Sequence, residues 1–216
     1  MRPNFKFPIS NSQFPISNFQ YKFIAVGVSS GGMEALSAII PILPAKFTVP
    51  VAVIQHVSPY SDNYMTFHLD RISKIKVKEV DEKEKVTAGI VYTAPPNYHV
   101  LVEEDETFSL SVEERINYAR PSIDVLFESA ADVYGPTLVG VILTGANNDG
   151  SQGLRKVKER GGLAIVQNPE TAMVGEMPRA AIAATPVDHI LHLEEIGPFL
   201  AKIGNPVVLK EEFYGK

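Results

Sequence analysis

Cysteine is absent from the 216 residues of this chain. Disulfide bonds, thiol nucleophiles and thiolate metal ligands are therefore excluded from its chemistry. The sequence also lacks a dense stripe of Lys and Arg, and its formal net charge is −5. Because nucleic-acid-binding surfaces normally carry such a basic stripe, we expect no nucleic-acid partner.

Long apolar runs are missing as well. No uninterrupted apolar segment approaches the roughly 20 residues that cross a bilayer. The first residues lack the continuous apolar centre of a signal peptide, so we expect no membrane insertion and a cytoplasmic location. With 45% hydrophobic and 21% charged residues, the chain is long enough to bury the core of one globular domain.

The two ends of the chain differ from its centre. The segment FPISN occurs at residues 7–11 and again at 14–18, and two copies are too few for a coiled coil or a solenoid. We expect a flexible N-terminal extension over residues 1–20, although Phe7, Phe14 and Phe19 could instead dock on a neighbour. The expected catalytic domain covers residues 21–204, and residues 205–216 form a C-terminal tail.

Apolar runs typical of strands alternate with amphipathic segments typical of helices from residue 23 onward. This alternation predicts right-handed βαβ crossovers and an α/β fold: a doubly wound, mainly parallel sheet with helices on both faces. Short strands over 76–112, with a polar turn at 104–106, predict an antiparallel β-hairpin insertion. The clearest helix covers 121–134, with Pro121 at its first position. The main predicted strands are 23–28, 49–55, 137–144 and 163–167.

Polar side chains follow three of these predicted strands. Ser29 and Ser30 come after the first, His56 after the second and Asp149 after the strand at 137–144. Functional loops of a parallel sheet lie at the carboxyl ends of its strands. A serine, a histidine and an aspartate there would supply a nucleophile, a base and a base-orienting carboxylate. Singly, each also has an ordinary interpretation as a turn, loop or helix-capping residue.

The segment GVSSG at residues 27–31 fits the G-x-S-x-G pattern, in which a sharp strand–helix turn exposes a serine. The helix that follows leaves backbone N–H groups free to bind an oxyanion. The order Ser29, His56, Asp149 differs from the Ser–Asp–His order of α/β-hydrolases. A dinucleotide-binding loop is the alternative. Its G-x-G-x-x-G spacing is not met, and Gln55-His56 stands where a ribose-binding acid is expected.

Six segments resemble, in order, the catalytic domain of CheB, the chemotaxis protein-glutamate methylesterase. The resemblance runs from about residue 23 to about residue 203. It implies hydrolysis of glutamate γ-methyl esters, and deamidation of glutamines, on the cytoplasmic signalling helices of chemoreceptors, without a metal or an organic cofactor. The implied partners are these methylated helices and, as a second possibility, a receptor methyltransferase. The segments are AVGVSSGG, VIQHVSP, TAPPNYHVLV, ARPSIDVLFESAA, VILTGANNDGSQGL and IVQNPETAMVGEMPRAAI.

By position, the resemblance makes Ser29 the nucleophile, His56 the general base and Asp149 the carboxylate that orients it. Ser30 occupies the adjacent hydroxyl position, where the family usually has threonine. The backbone N–H groups of Ser30 and Ala146 are the candidate oxyanion hole. The family's regulatory receiver domain, which usually precedes this domain, has no counterpart in the sequence.

Three further positions bear on activity. Arg120, in ARPS, is expected to line the substrate cleft. The family commonly has TGMGxDG where this chain has TGANNDG, so Ala146 replaces methionine and Asn147 replaces glycine. Ala146 keeps its backbone N–H, whereas Asn147 lacks the freedom of glycine at positive φ. A catalytically weak module that binds receptors or a methyltransferase therefore stays open as an alternative, and a nucleotide-binding oxidoreductase is less favoured.

Overall fold

The computed structural model describes residues 20–116 and 118–204. The predicted C-terminal tail and the predicted extension up to residue 19, with its repeated FPISN, lie outside the described residues. The described strands β1 to β9 are Phe23–Val28, Val51–Gln55, Lys76–Glu79, Ile90–Thr93, His99–Val102, Phe108–Ser111, Leu138–Ile142, Leu163–Gln167 and His189–Leu191. The described α-helices α1 to α6 are Gly32–Ile39, Tyr64–Ile72, Ile123–Tyr134, Ser151–Glu159, Glu176–Ala184 and Leu193–Ile203.

Seven of these strands form one sheet in the order β3-β4-β2-β1-β7-β8-β9. Every neighbouring pair in that sheet is parallel, which confirms the predicted doubly wound α/β fold. Strand β1 lies between β2 and β7, with Val28 opposite Gln55 and Gly27 opposite Ile142. The carboxyl ends of these three strands therefore meet at one place on the sheet edge.

Strand β1 is buried along its whole length, because helices cover both faces of the sheet. Its side chains alternate between two cores. Phe23 and Ala25 belong to the core that holds residues of α3, α4 and α5. Ile24, Val26 and Val28 belong to the core that holds residues of α1, α2 and α6.

Strands β5 and β6 pair antiparallel as a separate two-stranded sheet, so the predicted hairpin insertion is confirmed. Phe108 of β6 anchors the hairpin, since its ring contacts the rings of Phe23 and Tyr92. His99 of β5 contacts the carbonyl of Glu114 through Nε2 at 3.0 Å and accepts the Ser122 N–H through Nδ1 at 3.2 Å. The hairpin thus fixes the segment that leads into α3.

Helix α3 begins two residues later than the sequence pattern indicated. Ser122 is its N-cap, with an extended backbone at φ −109 and ψ 137, and Pro121 precedes the helix. The first free N–H groups of α3 donate to the carboxylate of Asp149, an acceptor far along the chain that local sequence does not reveal. None of the helices within the described residues has the length and apolarity needed to cross a membrane.

Candidate active site

Ser29 lies at the turn between β1 and α1, where the backbone reverses direction sharply. Its N–H donates to the Thr144 carbonyl at 2.9 Å, and its own carbonyl accepts the Gly32 N–H at 2.9 Å. Gly31 is the N-cap of α1 and adopts φ 83, a left-handed conformation that favours glycine. The turn therefore presents the Ser29 hydroxyl at the sheet edge on a backbone fixed from both sides.

Gln55, the last residue of β2, ties this turn to the next strand. Its Nε2 donates to the carbonyl of Ser29 at 2.9 Å and to the carbonyl of His56 at 3.0 Å. The amide fits only because residue 32 is glycine, since a Cβ there would lie 1.7 Å from Gln55 Oε1. Sequence reasoning treated Gln55 as the end of a strand and missed this role.

The structure brings Ser29, His56 and Asp149 together. His56 Nδ1 lies 3.2 Å from Ser29 Oγ, and His56 Nε2 lies 2.7 Å from Asp149 Oδ2. The His56 side chain is 13% exposed and that of Asp149 is fully buried. A hydroxyl, an imidazole and a carboxylate joined by hydrogen bonds in this order are the groups that covalent catalysis by serine requires.

The Asp149 carboxylate rests on the N-terminus of α3. Oδ1 accepts from Ser122 Oγ at 2.8 Å, and Oδ2 accepts from the Ile123 N–H at 2.7 Å. Burial alone would raise the pKa of Asp149, but its hydrogen bonds to His56, Ile123 and Ser122 hold that pKa below its ordinary value. A helix N-terminus also favours a negative charge.

The proton arrangement of His56 follows from this ionised neighbour. An ionised carboxylate only accepts hydrogen bonds, so Nε2 carries the proton that His56 donates to Asp149. In the neutral form of the ring, Nδ1 then presents its lone pair to the hydroxyl of Ser29. In this arrangement His56 Nδ1 can accept a proton from the Ser29 hydroxyl.

A second buried carboxyl group lies next to the first. Asp124 is 5% exposed, and its Oδ1 accepts the Gly153 N–H at 2.7 Å. Burial raises the pKa of Asp124 to about 6; the Gly153 hydrogen bond opposes this rise, and the charge of Asp149 adds to it. Sequence reasoning did not find this pair, because Asp124 falls on a helix whose pattern indicated only an apolar stripe.

Ser30 and Ala146 are exposed residues in the loops that follow β1 and β7. Neither backbone N–H has a hydrogen-bond acceptor within residues 20–116 and 118–204. Ser30 follows the nucleophile directly, and Ala146 follows Gly145, which is held by hydrogen bonds to Val174 and Met177. Both are thus available donors on a fixed backbone, as an oxyanion site requires.

Asn147 approaches His56 from the same loop as Ala146. Its Nδ2 lies 3.1 Å from His56 Nδ1, and its Oδ1 accepts the Asp149 N–H at 3.2 Å. Its backbone lies outside the positive-φ region, so the freedom of glycine is not needed at this position. The side-chain contact was not foreseen from the sequence.

Arg120 lines a cavity of about 250 Å³ in front of Ser29. The Arg120 guanidinium also donates hydrogen bonds within the protein. Nε and Nη2 donate to Asn97 Oδ1 at 3.2 and 2.8 Å. Nη1 donates to the carbonyls of Val112 and Glu113. Arg120 therefore holds the outer segment at 112–116 against the cleft. The other lining residues are His56, Val57, Pro59, Arg115, Tyr118, Ala119, Pro121 and Asn147.

Metal ligands are not grouped in this part of the molecule. Across the described ranges, no set of three or more His, Asp or Glu side chains is arranged to hold a metal ion. The groups that surround Ser29 are instead an imidazole, a buried carboxylate, two amides and backbone N–H donors.

Comparison with known proteins gives concordant results. The family model described as CheB methylesterase matches residues 24–200. A Leptospira interrogans protein named "Putative protein-glutamate methylesterase/protein-glutamine glutaminase" is 52% identical over 183 residues, which cover 85% of this chain and 95% of that protein. An Archaeoglobus fulgidus protein with the same name, without "Putative", is 40% identical, and the match covers 82% of this chain and 53% of that protein.

A solved structure supports the same relationship. The crystal structure of the Thermotoga maritima CheB methylesterase catalytic domain matches with a TM-score of 0.81 and 35% identity. The match covers 85% of this chain and 99% of that one. The described fold is thus similar to that catalytic domain over nearly its whole length.

Proposed function

The chain belongs to the CheB methylesterase family, and we propose that Ser29, His56 and Asp149 are the catalytic residues of its protein-glutamate methylesterase activity. One observation carries the proposal: these three side chains form one hydrogen-bonded series at the adjacent ends of β1, β2 and β7. That series opens onto a cavity large enough for a methylated glutamate side chain.

The proposed reaction begins with attack of Ser29 Oγ on the ester carbonyl carbon. The hydroxyl proton passes to His56 Nδ1, and the charged imidazole is stabilised by Asp149. The backbone N–H groups of Ser30 and Ala146 donate to the oxyanion that forms. His56 then returns the proton to the departing methoxy oxygen, which releases methanol and leaves an acyl-enzyme on Ser29.

Hydrolysis of the acyl-enzyme completes the cycle. His56 takes a proton from water, and the resulting hydroxide attacks the acyl carbon. His56 then returns this proton to Ser29 Oγ as the bond to Ser29 breaks, which releases glutamate and restores the hydroxyl. A glutamine side chain would follow the same course with ammonia as the leaving group. The relatives named protein-glutamate methylesterase/protein-glutamine glutaminase carry both activities in their names.

The proposed substrates are methylated glutamates on the cytoplasmic helices of chemoreceptors, with a receptor methyltransferase as a second partner and the cytoplasm as the location. Family membership supports the receptor as substrate. It favours hydrolysis over the nucleotide-binding alternative. A catalytically weak binding module is less favoured, because Asn147 leaves the backbone free of strain and Ala146 keeps its N–H.

Methanol release from methylated receptor tests this proposal. We expect Ser29→Ala to lower kcat by at least about 10³-fold, because no other group forms the acyl-enzyme. Ser30→Ala removes the neighbouring hydroxyl and keeps the backbone N–H, so it should retain most of the rate. A Ser29→Ala variant that turns over as fast as the wild type would show that the nucleophile lies elsewhere.

A further inference from the structure

Two hydrogen-bond donors compete for one lone pair at the centre of the site. His56 Nδ1 lies 3.2 Å from Ser29 Oγ and 3.1 Å from Asn147 Nδ2. A neutral imidazole offers a single acceptor nitrogen, and the other nitrogen is occupied by Asp149. The hydroxyl of Ser29 therefore shares its acceptor with the amide of Asn147.

The orientation of the Asn147 amide is set by its neighbour in the loop. Asn147 Oδ1 accepts the Asp149 N–H at 3.2 Å, so the NH₂ end of the amide faces His56. Turning the amide over would place its NH₂ against the N–H of Asp149. The donor is thus held towards the imidazole by the same residue whose carboxylate orients the ring.

Proton transfer from Ser29 makes this contact unfavourable. Once Nδ1 carries the proton, its N–H faces the NH₂ group of Asn147, and two donors oppose each other. The resting hydrogen bond must be lost before the imidazole is protonated. Asn147 therefore favours the neutral, resting state of His56 over the charged state formed during attack.

We propose that Asn147 is a positioning residue that restrains His56, holding its Nδ1 lone pair in the resting site and slowing acylation of Ser29. This inference rests on the proposed function of Ser29 and His56. A side chain without a donor at position 147 leaves the lone pair entirely to Ser29.

Single-turnover acylation of Ser29 by a methylated receptor fragment tests the inference, with the methanol burst as the signal. We expect Asn147→Ala and Asn147→Gly to acylate about 2- to 10-fold faster than the wild type, which corresponds to one neutral hydrogen bond. Loss of a merely structural contact would not accelerate the reaction. Rates equal to or below that of the wild type in folded variants overturn the inference.

Asn148 offers the matched control. It is the next residue in the loop and is exposed, and its side chain has no hydrogen-bond partner among the residues described. Asn148→Ala should acylate at the wild-type rate. An equal acceleration in this variant would assign the effect to loosening of the loop and would overturn the role of the Asn147 amide.

A second measurement needs no variant. In ¹⁵N-labelled wild-type protein, we expect a scalar coupling across the hydrogen bond between Asn147 Nδ2 and His56 Nδ1, and its absence would also overturn the inference. The proposed function fails in a different way. If Ser29→Ala still releases methanol at the wild-type rate, Ser29 is not the nucleophile and the proposed function fails. If Ser29→Ala is inactive but Asn147→Ala acylates no faster than the wild type, only the proposed restraint by Asn147 fails.

Discussion

His56 Nε2 donates to Asp149 Oδ2 across 2.7 Å, and Asp149 is fully buried where it accepts this bond. The nitrogen that faces Ser29 is consequently Nδ1. Because Asp149 also accepts hydrogen bonds from Ser122 and Ile123, the orientation of the candidate base depends on where α3 begins. The N-terminus of α3 and the hydrogen bonds that join Ser29, His56 and Asp149 therefore form one connected structure.

Replacing Asp149 by asparagine tests this connection. Asparagine keeps an acceptor for the N-terminus of α3, but it has no negative charge to stabilise a protonated His56. We expect kcat for methyl ester hydrolysis to fall by about 10⁴-fold in Asp149→Asn, with circular dichroism unchanged. Asp132 serves as control, because it lies on α3 far from Asp149, in exposed ion pairs with Lys156 and Arg160. Asp132→Asn should keep the full rate, and an active Asp149→Asn would contradict the assigned role.

The buried Asp124 carboxyl makes the free energy of unfolding depend on pH. Its pKa is raised from 3.8 to about 6 in the folded protein, first by burial and also by the charge of Asp149. The folded state therefore holds this proton more tightly than the unfolded state does. The protonated Asp124 carboxyl therefore favours the folded state at low pH. This stabilisation is lost as the pH rises from 3.8 to about 6.

Asp124→Asn removes this penalty, because its amide keeps the acceptor for Gly153 and places a donor towards Asp149. At pH 8 we expect the variant to be more stable than the wild type by on the order of 1–3 kcal/mol. At pH 4 the difference should be small. Urea denaturation at both pH values measures it. A variant advantage that is the same at pH 4 and pH 8 would show that ionisation of the buried Asp124 carboxyl is not its cause.

The fold was predictable because the pattern of apolar and polar residues within each short segment indicates a strand or a helix. The run at Phe23–Val28 is continuously apolar, as a strand covered on both faces must be, and the polar residues at its end mark the edge of the sheet. Ser29, His56 and Asp149 were found by the same reasoning. Their convergence was a prediction of parallel topology, and β2, β1 and β7 do lie side by side.

The supporting groups were not predictable, because their partners are distant in sequence. Ser122 bonds Asp149 at a separation of 27 residues, and Gln55 bonds Ser29 at a separation of 26. The local sequence predicted that α3 begins at Pro121, because proline is common at the first position of a helix. The helix begins after Ser122 instead, where its first N–H groups donate to the distant carboxylate of Asp149. The pattern of a single sequence indicates the buried face and the ends of each helix or strand. It does not indicate which of these ends contact one another in the folded protein.

Replacing Gln55 should lower the rate of hydrolysis indirectly, through the two carbonyls that its amide holds in place. Gln55→Met keeps the length of the side chain but removes both donors to the carbonyls of Ser29 and His56. We expect kcat to fall by about 10- to 100-fold, since small displacements of reacting groups are costly. The free energy of unfolding should fall by about 1–3 kcal/mol. Gln152→Met, at an exposed position of α4, should change neither quantity.

Replacing Arg120 by lysine is expected to weaken substrate binding. Its guanidinium spans Asn97 and the carbonyls of Val112 and Glu113, and the compact ammonium of lysine cannot reproduce that fork. Because Arg120 makes no hydrogen bond to Ser29, His56 or Asp149 in the described structure, Arg120→Lys should raise KM roughly tenfold or more and change kcat little.

Limited proteolysis supplies an independent measurement of the same clamp. In Arg120→Lys we expect faster cleavage within residues 112–116, because the outer segment of the cleft has lost its internal anchor. The control is Arg155→Lys on α4, where the arginine is exposed and pairs with Glu159 at 3.6 Å. If both variants raise KM equally, the effect is not specific to Arg120 and the clamp is not its cause. An unchanged KM with accelerated cleavage would show that Arg120 holds the segment without shaping the substrate site.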